Sequence, residues 1–135
     1  MSSQRASGVA TVMFTDVEAS TDLTTRQGDA AAGRRFAAHD RIVRDHVAAH
    51  GGRRVRSTGD GVLVLFDSAR GAVECAQAIQ RDLAVQDDGV RLRIGLNTGE
   101  VVEGDGELFG AAVNLAARVM ERARTGTLGV RPAAS

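Results

Sequence analysis

Lysine is absent: all 17 basic residues of this 135-residue chain are arginine. Any position that calls for a side-chain cation other than histidine is therefore filled by a planar, permanently charged guanidinium with no acceptor. Cysteine occurs once, at Cys75, which excludes an internal disulfide and a cysteine-rich zinc site. Its apolar, helical surroundings read as those of a packed thiol. No apolar run is long enough to span a membrane, and the polar start MSSQRASG is no signal peptide, so a cytoplasmic protein without direct membrane contact is expected. Charge of one sign is also missing. The 17 acids balance the 17 bases, which leaves no electrostatic case for nucleic acid as a partner.

What is present suits one globular domain, with 43% apolar residues and no internal repeat or low-complexity linker. Residues 1–8 read as a disordered tail and 9–135 as the domain. The abrupt end at VRPAAS suggests a truncated C-terminus, with the native chain continuing past Ser135.

The apolar run from Val9 to Thr15 predicts a central strand. A short helix is expected over Asp22 to Ala32. An amphipathic helix is expected over Arg34 to His50, where Phe36, Val43 and Val47 recur at helical spacing and the following glycines cap the end. RRVRSTGDGVLVLF reads as two strands joined by Gly59-Asp60-Gly61, the second of them central. Ser68 caps a helix with a stripe of Ala69, Val73, Ala76, Ile79 and Leu83. Arg91 to Asn97 alternates as a strand, Glu100 to Glu103 pairs with its surroundings, and EGDGELFG reads as a loop. Ala111 to Arg124 is the last helix, with Val113, Ala117 and Met120 facing inward, and Thr127 to Val130 a last short strand. The order is an α+β pattern whose hairpins favour a mostly antiparallel sheet.

Three groups of residues are candidates for chemistry. Asp16 follows the first strand and Asp60 sits in the hairpin. If the strands are neighbours, two carboxylates project from one sheet edge, an arrangement that a divalent cation relieves. Spacing alone is also met by two turn aspartates. Ser20 and Thr21 stand ahead of a helix start, where backbone amides hold phosphate oxygens or where a hydroxyl simply caps the helix. Asn114 and Arg118 lie at i and i+4 on one helical face, a ribose and phosphate clamp or a solvated stripe. The three histidines, His39, His46 and His50, fall on one early helix, and no nucleophile arrangement with serine or cysteine is evident.

Taken in order, FTDVEAST, STGDGVLVLF, RIGLNTGEV and FGAAVNLAARV closely resemble the catalytic domain of the class III nucleotide cyclases, the adenylate and guanylate cyclases. The resemblance runs from about Val9 to Val130. It implies a ferredoxin-like, mostly antiparallel sheet flanked by helices, and a head-to-tail homodimer with two active sites shared between protomers. It implies two divalent cations, Mg2+ or Mn2+, held by Asp16, Asp60 and the Val17 carbonyl. Asn114 would orient the ribose and Arg118 would stabilise the charged α-phosphoryl group, both acting from the opposite protomer.

Ser20 and Thr21 fall in the phosphate loop, where Ala19 replaces the family's usual glycine. Adenine is usually read by a lysine and an aspartate, and Arg56 and Glu107 occupy those positions. The kept charge pattern implies ATP as substrate and cyclic AMP as product, with GTP open, because arginine also donates to guanine O6 and N7. The other reading is a weakly active or inactive cyclase-like module that binds nucleotide or dimerises to regulate an attached domain. A diguanylate cyclase is set aside because its Gly-Gly-Asp/Glu-Glu-Phe signature is missing, and a phosphoacceptor receiver because it needs a lysine.

Overall fold

The computed structural model describes residues 6–19, 37–58, 61–86, 90–105, 107–123 and 128–130. In chain order these form strand β1 (Ala6–Ala19), helix α1 (residues 37–49), β2 (Gly52–Thr58), β3 (Gly61–Phe66), α2 (Ala69–Gln86), β4 (Val90–Gly104), β5 (Glu107–Phe109), α3 (Ala111–Arg122) and β6 (Leu128–Val130). The strands make one sheet in the order β2-β3-β1-β4-β5, antiparallel throughout, and β6 adds a single parallel pairing to β4. The expected α+β, mostly antiparallel architecture is what forms. The expected helix over Asp22 to Ala32 lies outside the described residues.

Period-two alternation in the central strands sends side chains to two cores. Met13, Val62, Val64, Phe66, Leu92, Ile94 and Leu96 pack under α1 and α2, while Val12, Phe14, Leu63, Val101 and Leu108 pack under α3. The sheet is thus the middle of three layers. In α2 the buried stripe is Ala72, Cys75, Ala76, Ile79 and Leu83. Ala69, the first residue of the helix, is exposed. Ser68 caps α2 as expected, its Oγ accepting from the Gly71 amide at 3.0 Å. Gly51, at φ 76°, takes the left-handed position that ends α1. The two helices are tied by His46 Nε2 and Asp82 Oδ2, 2.6 Å apart.

Three sequence expectations are corrected. β1 does not stop at Thr15: it pairs with β4 as far as Ala19↔Val90, so Ala19 is extended backbone in a strand and not part of a tight loop. The two runs at Arg91 and Glu100 are one 15-residue strand, since Gly99 continues the ladder opposite Ala10. Within the expected loop EGDGELFG, Glu107–Phe109 pairs with β4, and Leu108 is buried against α3's side of the sheet.

The α3 face of β4 is unusual in its residues. Leu92, Ile94 and Leu96 point to the α1/α2 core, leaving Arg93, Gly95, Asn97 and Gly99 for α3. At Gly95 the helix backbone lies on the strand itself: a Cβ there would stand 2.2 Å from the Met120 nitrogen and 2.6 Å from the Ala116 oxygen. Gly95→Ala is therefore expected to destabilise the chain by about 3 kcal/mol in equilibrium urea unfolding; a loss within about 0.5 kcal/mol would contradict so close a contact. Burial also pushes the Cys75 thiol up to about 12. The thiol stays protonated below that pH, and native protein at pH 8 is expected to resist a thiol-reactive dye until it unfolds.

Candidate active site

Asp16 is the last residue of the β1–β3 ladder, opposite Gly61, while β1 runs on along β4. Two features fix the geometry of that end. The Thr15 hydroxyl, buried, accepts from the Val62 amide at 3.0 Å. A Cβ on Gly61 would stand 1.7 Å from the Thr15 carbonyl oxygen, so only glycine fits this close approach of the two backbones. Asp60 lies outside the described residues, as do Ser20 and Thr21; Asp60 is the residue immediately before Gly61.

The Asp16 carboxylate already has a cationic partner. Arg93 is its direct cross-strand neighbour on β4, and its Nη2 donates to Asp16 Oδ2 at 2.5 Å. The side chains are only 28% and 24% exposed, so the charges are screened less than those of a surface pair. Arg93 Nη1 donates in addition to the Glu121 carbonyl in the last turn of α3, at 3.2 Å.

Does this end of the sheet suit a divalent cation? Asp16 is a hard oxygen ligand in a partly buried setting where a positive charge is stably held, here by the guanidinium, so the chemistry fits. Among the described residues no group of three His, Cys, Asp or Glu side chains gathers, so a fuller ligand set needs Asp60 and backbone oxygens. Val17 follows in β1, half-buried against the α1/α2 core.

Arg56 and Glu107 come from opposite edges of the sheet, yet Arg56 Nε lies 3.9 Å from Glu107 Oε1. A second bridge, from Arg53 on β2 to Glu103 on β4, crosses in the same way, so the sheet curls until its edges approach. The hydrogen bond to Glu103 also raises the Arg53 guanidinium above its usual value, against the opposing effect of partial burial. Both side chains of the Arg56–Glu107 pair are substantially exposed, so the pair is loose and open to exchange for a ligand.

Asn114 and Arg118 share the exposed face of α3, as their spacing implies. The buried face of that helix is Ala112, Val113 and Ala116, turned toward the sheet. Asp16 and Arg93 lie on that sheet side, so within one chain the helix turns Asn114 and Arg118 away from Asp16. The structure therefore unites Arg56 with Glu107 and leaves the Asp16 end and the α3 pair facing different ways.

Two residues were missed from sequence. In the sequence Arg93 reads only as part of an alternating strand; its signal is a charge in phase with the glycines rather than with the leucines. Asn97, buried, donates from Nδ2 to the Ala112 carbonyl at 3.2 Å and so holds the first turn of α3, which has no side-chain cap of its own.

Comparison with known proteins bears on this arrangement. The sequence model of the adenylate and guanylate cyclase catalytic domain matches residues 1–134. The chain is 37% identical over 108 residues to an adenylate cyclase of Streptomyces coelicolor, covering 80% of this chain and 28% of that protein. It is 31% identical over 122 residues to a serine/threonine-protein kinase of Myxococcus xanthus, covering 86% of this chain and 15% of the kinase. Its fold superposes with a TM-score of 0.84 on an adenylate/guanylate cyclase/hydrolase from Silicibacter pomeroyi, at 29% identity over 94% of this chain and 77% of the other. The chain thus spans only a fraction of the curated relatives.

The Asp16–Arg93 contact generates a direct expectation. In a double-mutant cycle with Asp16→Asn and Arg93→Gln, urea unfolding should give a coupling of about 2 kcal/mol. A coupling below about 0.5 kcal/mol would show the pair to be energetically idle.

Proposed function

Because the chain belongs to the adenylate and guanylate cyclase catalytic domain family, we propose that it converts ATP to 3′,5′-cyclic AMP and pyrophosphate at sites shared between two copies. The observation that carries the reading is the split site: Asn114 and Arg118 on the outward face of α3, Asp16 on its sheet side. One copy cannot close the two around a substrate, whereas two copies arranged head to tail can.

In this reading Asp16, Asp60 and the Val17 carbonyl hold two divalent cations, Mg2+ or Mn2+. When bound, the cations neutralise triphosphate charge and lower the pKa of the ribose 3′-hydroxyl. The 3′-hydroxyl gives its proton to solvent water, and the O3′–Pα bond forms as the bond from Pα to the bridging oxygen of the leaving pyrophosphate breaks. Asn114 holds the ribose so that O3′ faces Pα, and Arg118 meets the charge that grows on the α-phosphoryl oxygens. The phosphates run toward Ser20 and Thr21.

Arg56 and Glu107 read the base. Arg56 donates to adenine N1, and Glu107 accepts from the exocyclic amine. Their mutual contact of 3.9 Å keeps both near the pocket while leaving each free to turn to the base. Guanine, with acceptors at O6 and N7, is the competing substrate for the same pair.

A second reading is favoured by one observation: a similar segment makes up a small part of a kinase. There the module would dimerise or bind nucleotide to control an attached domain, with little turnover of its own.

The experiment incubates the purified chain with ATP or GTP and Mn2+ and detects cyclic product by mass. Cyclic AMP is expected, at a specific rate that rises with protein concentration. Asp16→Ala and Asp60→Ala should remove activity, and Asn114→Ala and Arg118→Ala should each lower kcat about 100-fold or more. Mixing Asp16→Ala with Arg118→Ala protomers should restore part of the rate, since one of two sites is then whole. A verified mixed dimer without recovery would refute shared sites, and no product from either nucleotide would favour the regulatory module.

A further inference from the structure

Arg93 touches both halves of the proposed machinery. Its Nη2 holds the Asp16 carboxylate at 2.5 Å, and its Nη1 holds the Glu121 carbonyl at 3.2 Å, three residues beyond Arg118 on α3. The Glu121 carbonyl is in the last turn, where carbonyls lack intrahelical donors and the helix dipole is negative, so a guanidinium is well placed there. The guanidinium is a rigid plane, and its two contacts cannot be rearranged independently.

A divalent cation on Asp16 competes with Arg93 for the carboxylate, whose Oδ2 the guanidinium now holds, and repels the guanidinium at short range. Its arrival must therefore move Arg93, and moving Arg93 disturbs the hold on Glu121. The geometry points to Arg93 as a positioning residue: the resident counter-ion of Asp16, which links cation binding there to the seating of the helix that carries Asn114 and Arg118. This inference rests on the reading of Asp16 as a cation ligand. In a dimer with shared sites, Asp16 and Arg118 of one protomer serve different sites, so the guanidinium links one site's cation to the other site's clamp. By reciprocity, α3 seating changes cation affinity by the same factor.

The test uses the full chain without nucleotide, with Mn2+ alone as the probe. Free Mn2+ is titrated by electron paramagnetic resonance, and amide hydrogen exchange is followed over residues 116–123. Arg93→Gln, which removes the competitor, is expected to bind Mn2+ about tenfold tighter than wild type. Saturating Mn2+ should speed exchange at the end of α3 in wild type and leave Arg93→Gln, already fast, unchanged. Arg93→Lys keeps a charge on Asp16 without the second prong, so its Mn2+ affinity should fall between those of wild type and Arg93→Gln while its helix end no longer responds to Mn2+. It carries the test should Arg93→Gln fail to fold.

Equal or weaker Mn2+ binding by folded Arg93→Gln overturns the inference. So does a wild-type helix end that Mn2+ leaves unmoved, or one in Arg93→Lys that still responds. Asp16→Ala separates the two possible failures. If it binds Mn2+ as well as wild type does, the cation reading falls and this inference with it. If it loses Mn2+ while Arg93→Gln behaves as wild type, only the link through Arg93 falls.

Discussion

The approach of α3 to β4 is the constraint on which the rest of the structure depends. A helix resting on a sheet is ordinarily held off by the side chains between them, but Gly95 lets backbone meet backbone. The contact is flanked by Asn97, which donates to the Ala112 carbonyl at one end of the helix, and Arg93, which donates to the Glu121 carbonyl at the other. The helix is pinned in the middle by shape and at its ends by hydrogen bonds. Its rotation follows: with Ala112, Val113 and Ala116 against the sheet, Asn114 and Arg118 face outward.

The same strand carries the charge logic of the other half-site. Arg93 lies opposite Asp16 in register, on the α3 face, at the point where β3 ends its ladder with β1. A partly buried carboxylate without a partner would be costly, and the guanidinium satisfies it in the ligand-free chain. With no lysine anywhere, the chain uses arginine both for this role and for the exposed contact of Arg56 with Glu107. The two pairs differ in burial. The Asp16–Arg93 pair is partly buried, and the Arg56–Glu107 pair is more exposed.

The curl of the sheet connects these parts. β2 and β5 are the edges of the antiparallel path; Arg53 on β2 reaches Glu103 on β4, and Arg56 on β2 reaches Glu107 on β5, so the two edges approach each other. The proposed base-reading pair is thereby assembled within one chain from segments 51 residues apart, 107 minus 56, which neither hairpin pairing alone would bring together.

Much of this was determined by local sequence. Apolar runs marked β1 and β3, alternation marked the start of β4, Ser68 and Gly51 marked helix ends, and the i, i+4 spacing of Asn114 and Arg118 placed them on one face, because backbone periodicity acts over a few residues. Four motifs in order implied the family and the residues Asp16, Asp60, Asn114 and Arg118. Tertiary structure decided what sequence distance hides. β1 runs past Asp16 to Ala19 because β4 is long enough to pair with it, and Glu107–Phe109 is a strand only because β4 offers an edge. Arg93 looked like one more charge in an alternating strand. Its partners are 77 residues before it and 28 after, and only register and packing bring both onto one guanidinium.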